Sequence, residues 1–150
     1  MIQRIDRIAI AVKDLDEARG FFSDLFGIDF DEPRTHDALG MRGCYSVCGL
    51  ELIEPTREES LIGRFIRNRG EGVWALVLKV RDMEEAVSAF TAKGLRVAGG
   101  VKVGQMREVA FHPKESFGVE LVLAEYPEKH PATVAVMSGR GGGVREGNSV

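Results

Sequence analysis

Among the charged residues inside strand-like apolar stretches are Arg7 within residues 5–12, Glu51 within 50–54, Lys79 within 73–80 and Glu120 within 118–125. A strand turns successive side chains to opposite faces. If Ile8, Ile10 and Val12 pack inward, then Arg7, Ala9 and Ala11 share the other face. By the same count Ala75, Val77 and Lys79 oppose Leu76, Leu78 and Val80, Glu51 goes with Ile53, and Glu120 goes with Val122 and Ala124. Two cations and two carboxylates so placed have two uses. They close on one another as two ion pairs, or they do chemistry: a guanidinium forks onto an oxyanion while a carboxylate takes a proton from carbon.

The remaining chemistry-bearing residues are scattered. His36 falls in a segment that reads as a surface loop, His130 lies near the end of the chain, and His112 ends a strand beside Pro113 and Lys114. Cys44 and Cys48 are four apart without a second pair, which gives neither a zinc ribbon nor a disulfide framework. Cys44, in a strand, is expected to be buried and inert, whereas Cys48 sits in a turn. No Ser-His-Asp signature and no dinucleotide glycine motif is present. Arg57, Arg64, Arg67 and Arg69 make one side of a short helix basic, a solvated face or a seat for an acidic cofactor tail.

The elements that carry these residues repeat. Val12-Lys13-Asp14-Leu15-Asp16-Glu17-Ala18 returns as Val80-Arg81-Asp82-Met83-Glu84-Glu85-Ala86 at an offset of 68, and Gly49-Leu50-Glu51-Leu52 returns as Gly118-Val119-Glu120-Leu121 at 69. Each half reads as an apolar strand (5–12, 73–80) and a helix opened by an Asp cap, Asp14 or Asp82. Gly27 and Gly94 close these helices, and Phe21, Phe22 and Phe90 are expected to pack on the sheet. Three further strands follow, at about 28–32, 41–47 and 50–54 in the first half and about 95–102, 106–112 and 118–125 in the second. Trp74 is expected in the core. A helix over about 58–69 joins modules of about 4–56 and 72–126. The fold class is α+β, two tandem βαβββ modules forming a curved mixed sheet around a cleft, as one domain over residues 1–126. The stretch 127–150, with Gly139, Gly141, Gly142, Gly143 and Gly147, reads as a flexible Gly-rich tail.

Composition narrows the function classes. The 150 residues carry 20 Lys+Arg against 23 Asp+Glu, net charge -3, which offers no field for nucleic acid. The apolar runs are too short to span a bilayer, and residues 1–6 lack a secretory apolar core, so the expected compartment is the cytoplasm.

The stretches Ile5-Asp6-Arg7-Ile8-Ala9-Ile10-Ala11-Val12-Lys13-Asp14-Leu15, Glu51-Leu52-Ile53-Glu54-Pro55, Arg69-Gly70-Glu71-Gly72 and His112-Pro113-Lys114 resemble the vicinal oxygen chelate superfamily, which includes glyoxalases, bleomycin-resistance proteins and dioxygenases. Within it the likeness is to the methylmalonyl-CoA epimerases, over about residues 4–126. The resemblance implies a divalent ion (Co, Ni, Zn or Mn) held by two His and two Glu or Gln, acting as a Lewis acid. It also sets those ligands at Arg7, Glu51, Ala75 and either Val122 or Glu120. An Arg cannot shed its proton to bind a cation and repels one. The expectation is therefore no metal and no other cofactor, unless the ligand alignment is displaced.

In that reading Arg7 supplies the missing positive charge and pairs with Glu51, which serves as general base. Ala75, Lys79, Glu120 and Val122 line the substrate, with His112 and Lys114 at the rim, Lys114 meeting a CoA phosphate. The resemblance implies an isomerase or lyase acting on a small carboxylate or acyl thioester such as a CoA ester, in a homodimer. Two alternatives stay open: a metal-dependent epimerase or glyoxalase-type lyase, and a non-catalytic, drug-sequestering binder.

Overall fold

The computed structural model describes residues 1–127; the expected Gly-rich tail and His130 lie outside the described residues. The order is β1 (Ile2–Ala11), α1 (Leu15–Phe26), β2 (Arg34–His36), β3 (Met41–Tyr45), β4 (Leu50–Pro55), α2 (Leu61–Arg69), β5 (Gly72–Val80), α3 (Met83–Ala92), β6 (Val97–Val103), β7 (Met106–Phe111) and β8 (Glu120–Glu125). This is the α+β class with two βαβββ repeats. The described residues form two compact units, one of Ala9–Val73 and one that joins Met1–Ile8 to residues 74–127. The cut falls inside β1, between Ile8 and Ala9.

In the unit of Ala9–Val73, β2, β3 and β4 form an antiparallel run, with Cys44 opposite Leu52 and Tyr45 opposite Glu51. The Asp14 carboxylate caps α1 by accepting from the Glu17 N–H at 2.9 Å. Gly27 ends the helix at φ 63, a left-handed conformation that glycine adopts without a Cβ clash. Leu15 of α1 joins Val12, Ile28, Phe30, Cys44 and Leu52 in one core. Phe22 packs against it, whereas Phe21, Leu25 and Phe26 are exposed. Helical spacing put Phe21 on the packing stripe, but the stripe is narrower than the apolar sequence.

The joining helix begins at Leu61, capped by Ser60, and not at Glu58. Gly63, in its first turn, is buried because a Cβ there would meet the Glu58 carbonyl and lie 2.7 Å from the Arg57 carbonyl. Gly63→Ala is therefore expected to lower stability by about 1–3 kcal/mol, the cost of overpacking, instead of giving the usual helix gain. A urea melt checks this; equal or higher stability would show that residues 57–58 move aside.

In the other unit, β5 runs parallel to β8, β8 antiparallel to β7, and β7 antiparallel to β6. Asp82 caps α3 through the Glu85 N–H at 2.8 Å. Val80, Met83, Ala86, Phe111 and Leu123 form the core between α3 and one sheet face, and Leu78, Phe90 and Val109 pack against it. Trp74 is half-buried and belongs to neither core. His36 is on β2, opposite Met41, where a loop was expected, and no strand occupies 28–32. Asp31 ties that segment to β3: its N–H donates to the Tyr45 carbonyl at 2.9 Å and its carboxylate accepts from the Tyr45 N–H at 2.6 Å.

Candidate functional site

Each unit sorts its residues by face, and the helices identify which face is which. In the unit of α3, Leu78, Val80, Val109, Phe111 and Leu123 meet the helix. The register sets Ala75 beside Glu120, Val77 beside Val122 and Lys79 beside Ala124, with Glu108 and Ala110 next to Ala124 and Val122. These residues share the face away from α3. Ala75, Val77, Lys79, Val122 and Ala124 are all at most 5% exposed, so this face is closed to water along β5 and β8. Ala75, Lys79, Glu120 and Val122 thus stand on one face. In the unit of α1, Arg42 bridges Glu54 and Asp16 on the helix side, at 2.9 and 2.8 Å. The alternate set, Gly43, Tyr45, Glu51 and Ile53, faces away from α1. Tyr45, directly opposite Glu51 and 7% exposed, is a neighbour the sequence did not single out.

Arg7 is buried, with 5% of its side chain exposed, and is held by two carboxylates. Its Nη1 donates to Asp6 Oδ2 at 2.9 Å, and its Nη2 donates to Glu108 in a short ion pair. Asp6 is in turn an acceptor for Arg4 at 3.4 Å and for the Tyr126 hydroxyl, which itself accepts from Arg4 Nη2 at 2.9 Å. Buried charges persist only when paired and hydrogen-bonded, and Asp6 is saturated in this way.

Lys79 does not pair with the Glu120 carboxylate. Its Nζ donates to the Tyr126 carbonyl at 2.7 Å and lies 3.5 Å from the centre of the Tyr126 ring, a cation–π contact. Burial lowers the Lys79 pKa, and the charge of Arg4 adds to this; Asp6 and Glu125 oppose it. The reading of two plain ion pairs accordingly fails at Lys79, which is tied to backbone oxygen and an aromatic face.

His112 and Lys114 are exposed, in a 3-10 turn over Pro113–Glu115 that follows β7. They are apart from Glu108, which lies in the middle of β7. Arg67 of the basic helix face lines a groove of about 310 Å³ with Lys13, Pro55, Glu58, Gly63 and Ile66. Cys44 is buried, and desolvation pushes its thiol up to about 12, while Cys48 is exposed. At pH 8 a thiol reagent should therefore label Cys48 in the folded chain and reach Cys44 only after denaturation. Two thiols labelled at one rate in the native chain would contradict the burial.

Matching against family models recognises the glyoxalase/bleomycin resistance protein/dioxygenase superfamily over residues 6–111. The chain belongs to this superfamily. Among its relatives, the mitochondrial methylmalonyl-CoA epimerase of Dictyostelium discoideum is 28% identical over 131 residues, covering 83% of this chain and 79% of the relative. A variant of the Streptomyces coelicolor methylmalonyl-CoA epimerase, solved with 2-nitronate-propionyl-CoA, superposes with TM-score 0.76 at 28% identity over 85% of this chain and 99% of that one. The Mycobacterium tuberculosis methylmalonyl-CoA epimerase gives TM-score 0.75 at 27% identity, over 90% and 93% of the two chains.

This superfamily member departs from a divalent-metal donor set. Of the ligand positions implied by resemblance, Glu51 and the alternative fourth position Glu120 keep a carboxylate, whereas Arg7 carries an ion-paired guanidinium and Ala75 and Val122 carry no donor atom. Among the described residues no group of three or more His, Cys, Asp or Glu stands where it could hold an ion. The residues present do not fit the metal. Sequence reasoning missed Asp6, Glu108 and Tyr126. A signal existed for Asp6, a carboxylate within an apolar strand beside the chosen Arg7; none existed for Glu108, which is 101 positions from its partner.

Proposed function

We propose that this chain binds a small carboxylated acyl thioester of the methylmalonyl-CoA kind and moves the proton α to its carbonyl. Glu51 is the base and Arg7 the source of positive charge. The observation that carries this reading is Arg7 itself: a buried guanidinium, fixed by Asp6 and Glu108, at the position where resemblance calls for a metal ligand. Glu51 takes the α-proton, and the C–H electron pair moves into the thioester as an enolate. Guanidinium N–H groups stabilise the oxyanion that develops, in place of a Lewis acid. Protonation of the planar carbon by solvent on the face opposite Glu51 gives the epimer, and Glu51 then releases its proton to solvent. The likeness to epimerases with CoA-ester ligands supports the substrate class.

No helix among the described residues is long and apolar enough to cross a membrane. A cytoplasmic homodimer, acting as an isomerase, is the setting we infer from the resemblance. The test is exchange of the α-proton of methylmalonyl-CoA with D2O, followed by NMR, for the wild-type chain and for Glu51→Gln. Exchange by the wild type that Glu51→Gln loses supports the reading. Tight binding with no exchange favours the ligand-sequestering alternative.

A further inference from the structure

Arginines on the strands reach carboxylates: Arg42 meets Asp16 and Glu54, and Arg107 meets Glu84 and Glu125. Arg67 of α2 forms no ion pair among the described residues, and neither do Lys13 and Glu58. Lys13 engages Glu71 through its backbone N–H alone, at 2.7 Å. These three side chains line one groove of about 310 Å³ within the unit of Ala9–Val73, together with Pro55, Gly63 and Ile66. Pro55 and Ile66 are half-buried and Gly63 is buried, so that part of the lining is apolar, whereas the three charged residues are exposed.

This lining selects a ligand class. A guanidinium forks onto phosphate oxygens and an ammonium adds a point charge, so Lys13 and Arg67 suit an anion of several oxygens. Glu58 repels a bare anion. It suits a ligand that also brings hydrogen-bond donors, as the hydroxyls of a ribose do. Pro55 and Ile66 gain from covering a flat apolar ring. A nucleotide carries all three parts, and the volume falls at the lower end of the roughly 300–1,000 Å³ of small-molecule sites.

We propose that this groove binds a nucleoside diphosphate, with phosphates on Lys13 and Arg67, ribose hydroxyls donating to Glu58, and the base against Pro55 and Ile66. None of these residues is among those assigned to proton transfer, so the inference stands apart from that reading. The same diphosphate occurs in free ADP and at the end of CoA.

ADP, CoA and inorganic phosphate are each titrated calorimetrically at low ionic strength into the full chain and its variants, each first shown to be folded by circular dichroism. The wild type is expected to bind ADP more tightly than phosphate. Arg67→Gln should weaken ADP by about tenfold or more, the order of one charge-assisted hydrogen bond, and Arg67→Lys, which keeps the charge but not the fork, by less. Glu58→Ala gives the sign that a plain basic patch does not. It should weaken ADP several-fold by removing the ribose acceptor while tightening inorganic phosphate by removing a like charge.

No heat of ADP binding up to about 1 mM overturns the inference. So does an ADP affinity that Arg67→Gln leaves unchanged, an affinity for phosphate equal to that for ADP, or tighter ADP binding by Glu58→Ala. CoA binding that Arg67→Gln weakens as it weakens ADP assigns the groove to the end of a CoA ester; sensitivity confined to ADP assigns it to the free nucleotide.

Discussion

Glu51→Gln is expected to reduce exchange of the methylmalonyl-CoA α-proton by about 10²- to 10⁴-fold, the range supplied by a positioned general base. The amide keeps the size of the side chain and its place on β4, opposite Tyr45, so the packing of that face should survive. What it removes is the negative charge, and with it the basicity needed to take a proton from carbon. Near-unchanged Kd for the thioester with a lost exchange rate would assign Glu51 to the chemical step; a parallel loss of binding would assign it to ligand contact. Retention of full exchange would remove Glu51 from the mechanism, and the base would have to be sought elsewhere on the chain. The comparison needs no knowledge of the natural substrate, only of the probe.

Asp6→Ala is expected to cost about 3–5 kcal/mol of stability, the range for breaking a buried ion pair by deleting one partner. The loss arises from the groups left behind. Arg7 and the Tyr126 hydroxyl would stay buried after losing one of their partners, in a region with almost no access to water. Asp6→Asn, which retains acceptor oxygen but not the charge, should lose less. Thermal unfolding followed by circular dichroism would register the alanine variant as a fall of roughly 10 °C or more. Arg4→Met should do far less, because the Arg4 side chain is half exposed and solvent can take over its bonds. If Asp6→Ala and Arg4→Met cost the same, the network is not anchored on Asp6.

The second prediction concerns what holds Arg7 in place. A guanidinium that is to meet a developing oxyanion must not reorganise when the charge appears, since preorganised donors stabilise a transition state better than mobile ones. Asp6 accepts from Arg7 and from the Tyr126 hydroxyl, and the Tyr126 carbonyl accepts from Lys79, so the contacts that would supply such rigidity run on to Lys79. The lowered proton affinity of Lys79 follows from this seat, where carbonyl oxygens and an aromatic ring only partly replace water.

Much of the fold was legible from local signals. Asp14 and Asp82 cap their helices, Gly27 ends α1 in the left-handed conformation, and the offset of the repeated segments announced two βαβββ copies. Alternation along β4, β5 and β8 correctly grouped Glu51 with Ile53 and Ala75 with Lys79, because a period of two is a property of any strand. The choice of Arg7 followed from a charge where the superfamily pattern has a donor. What local signals could not supply was the identity of its partners. Asp6 and Tyr126 are 120 positions apart and Arg7 and Glu108 are 101, and their meeting depends on strand register and on how long side chains cross a face. Register is fixed by the packing of Val80, Phe111 and Leu123 on α3, a tertiary event. Lys79 illustrates the same limit: its face was predictable, but its partner is a backbone carbonyl, which has no signature in the sequence. The sequence by itself determined the class of fold and the repeat, and it put a guanidinium where the resemblance implies a metal donor. Only the tertiary structure decided which carboxylates hold that guanidinium, since burial and long-range pairing are set by the whole chain.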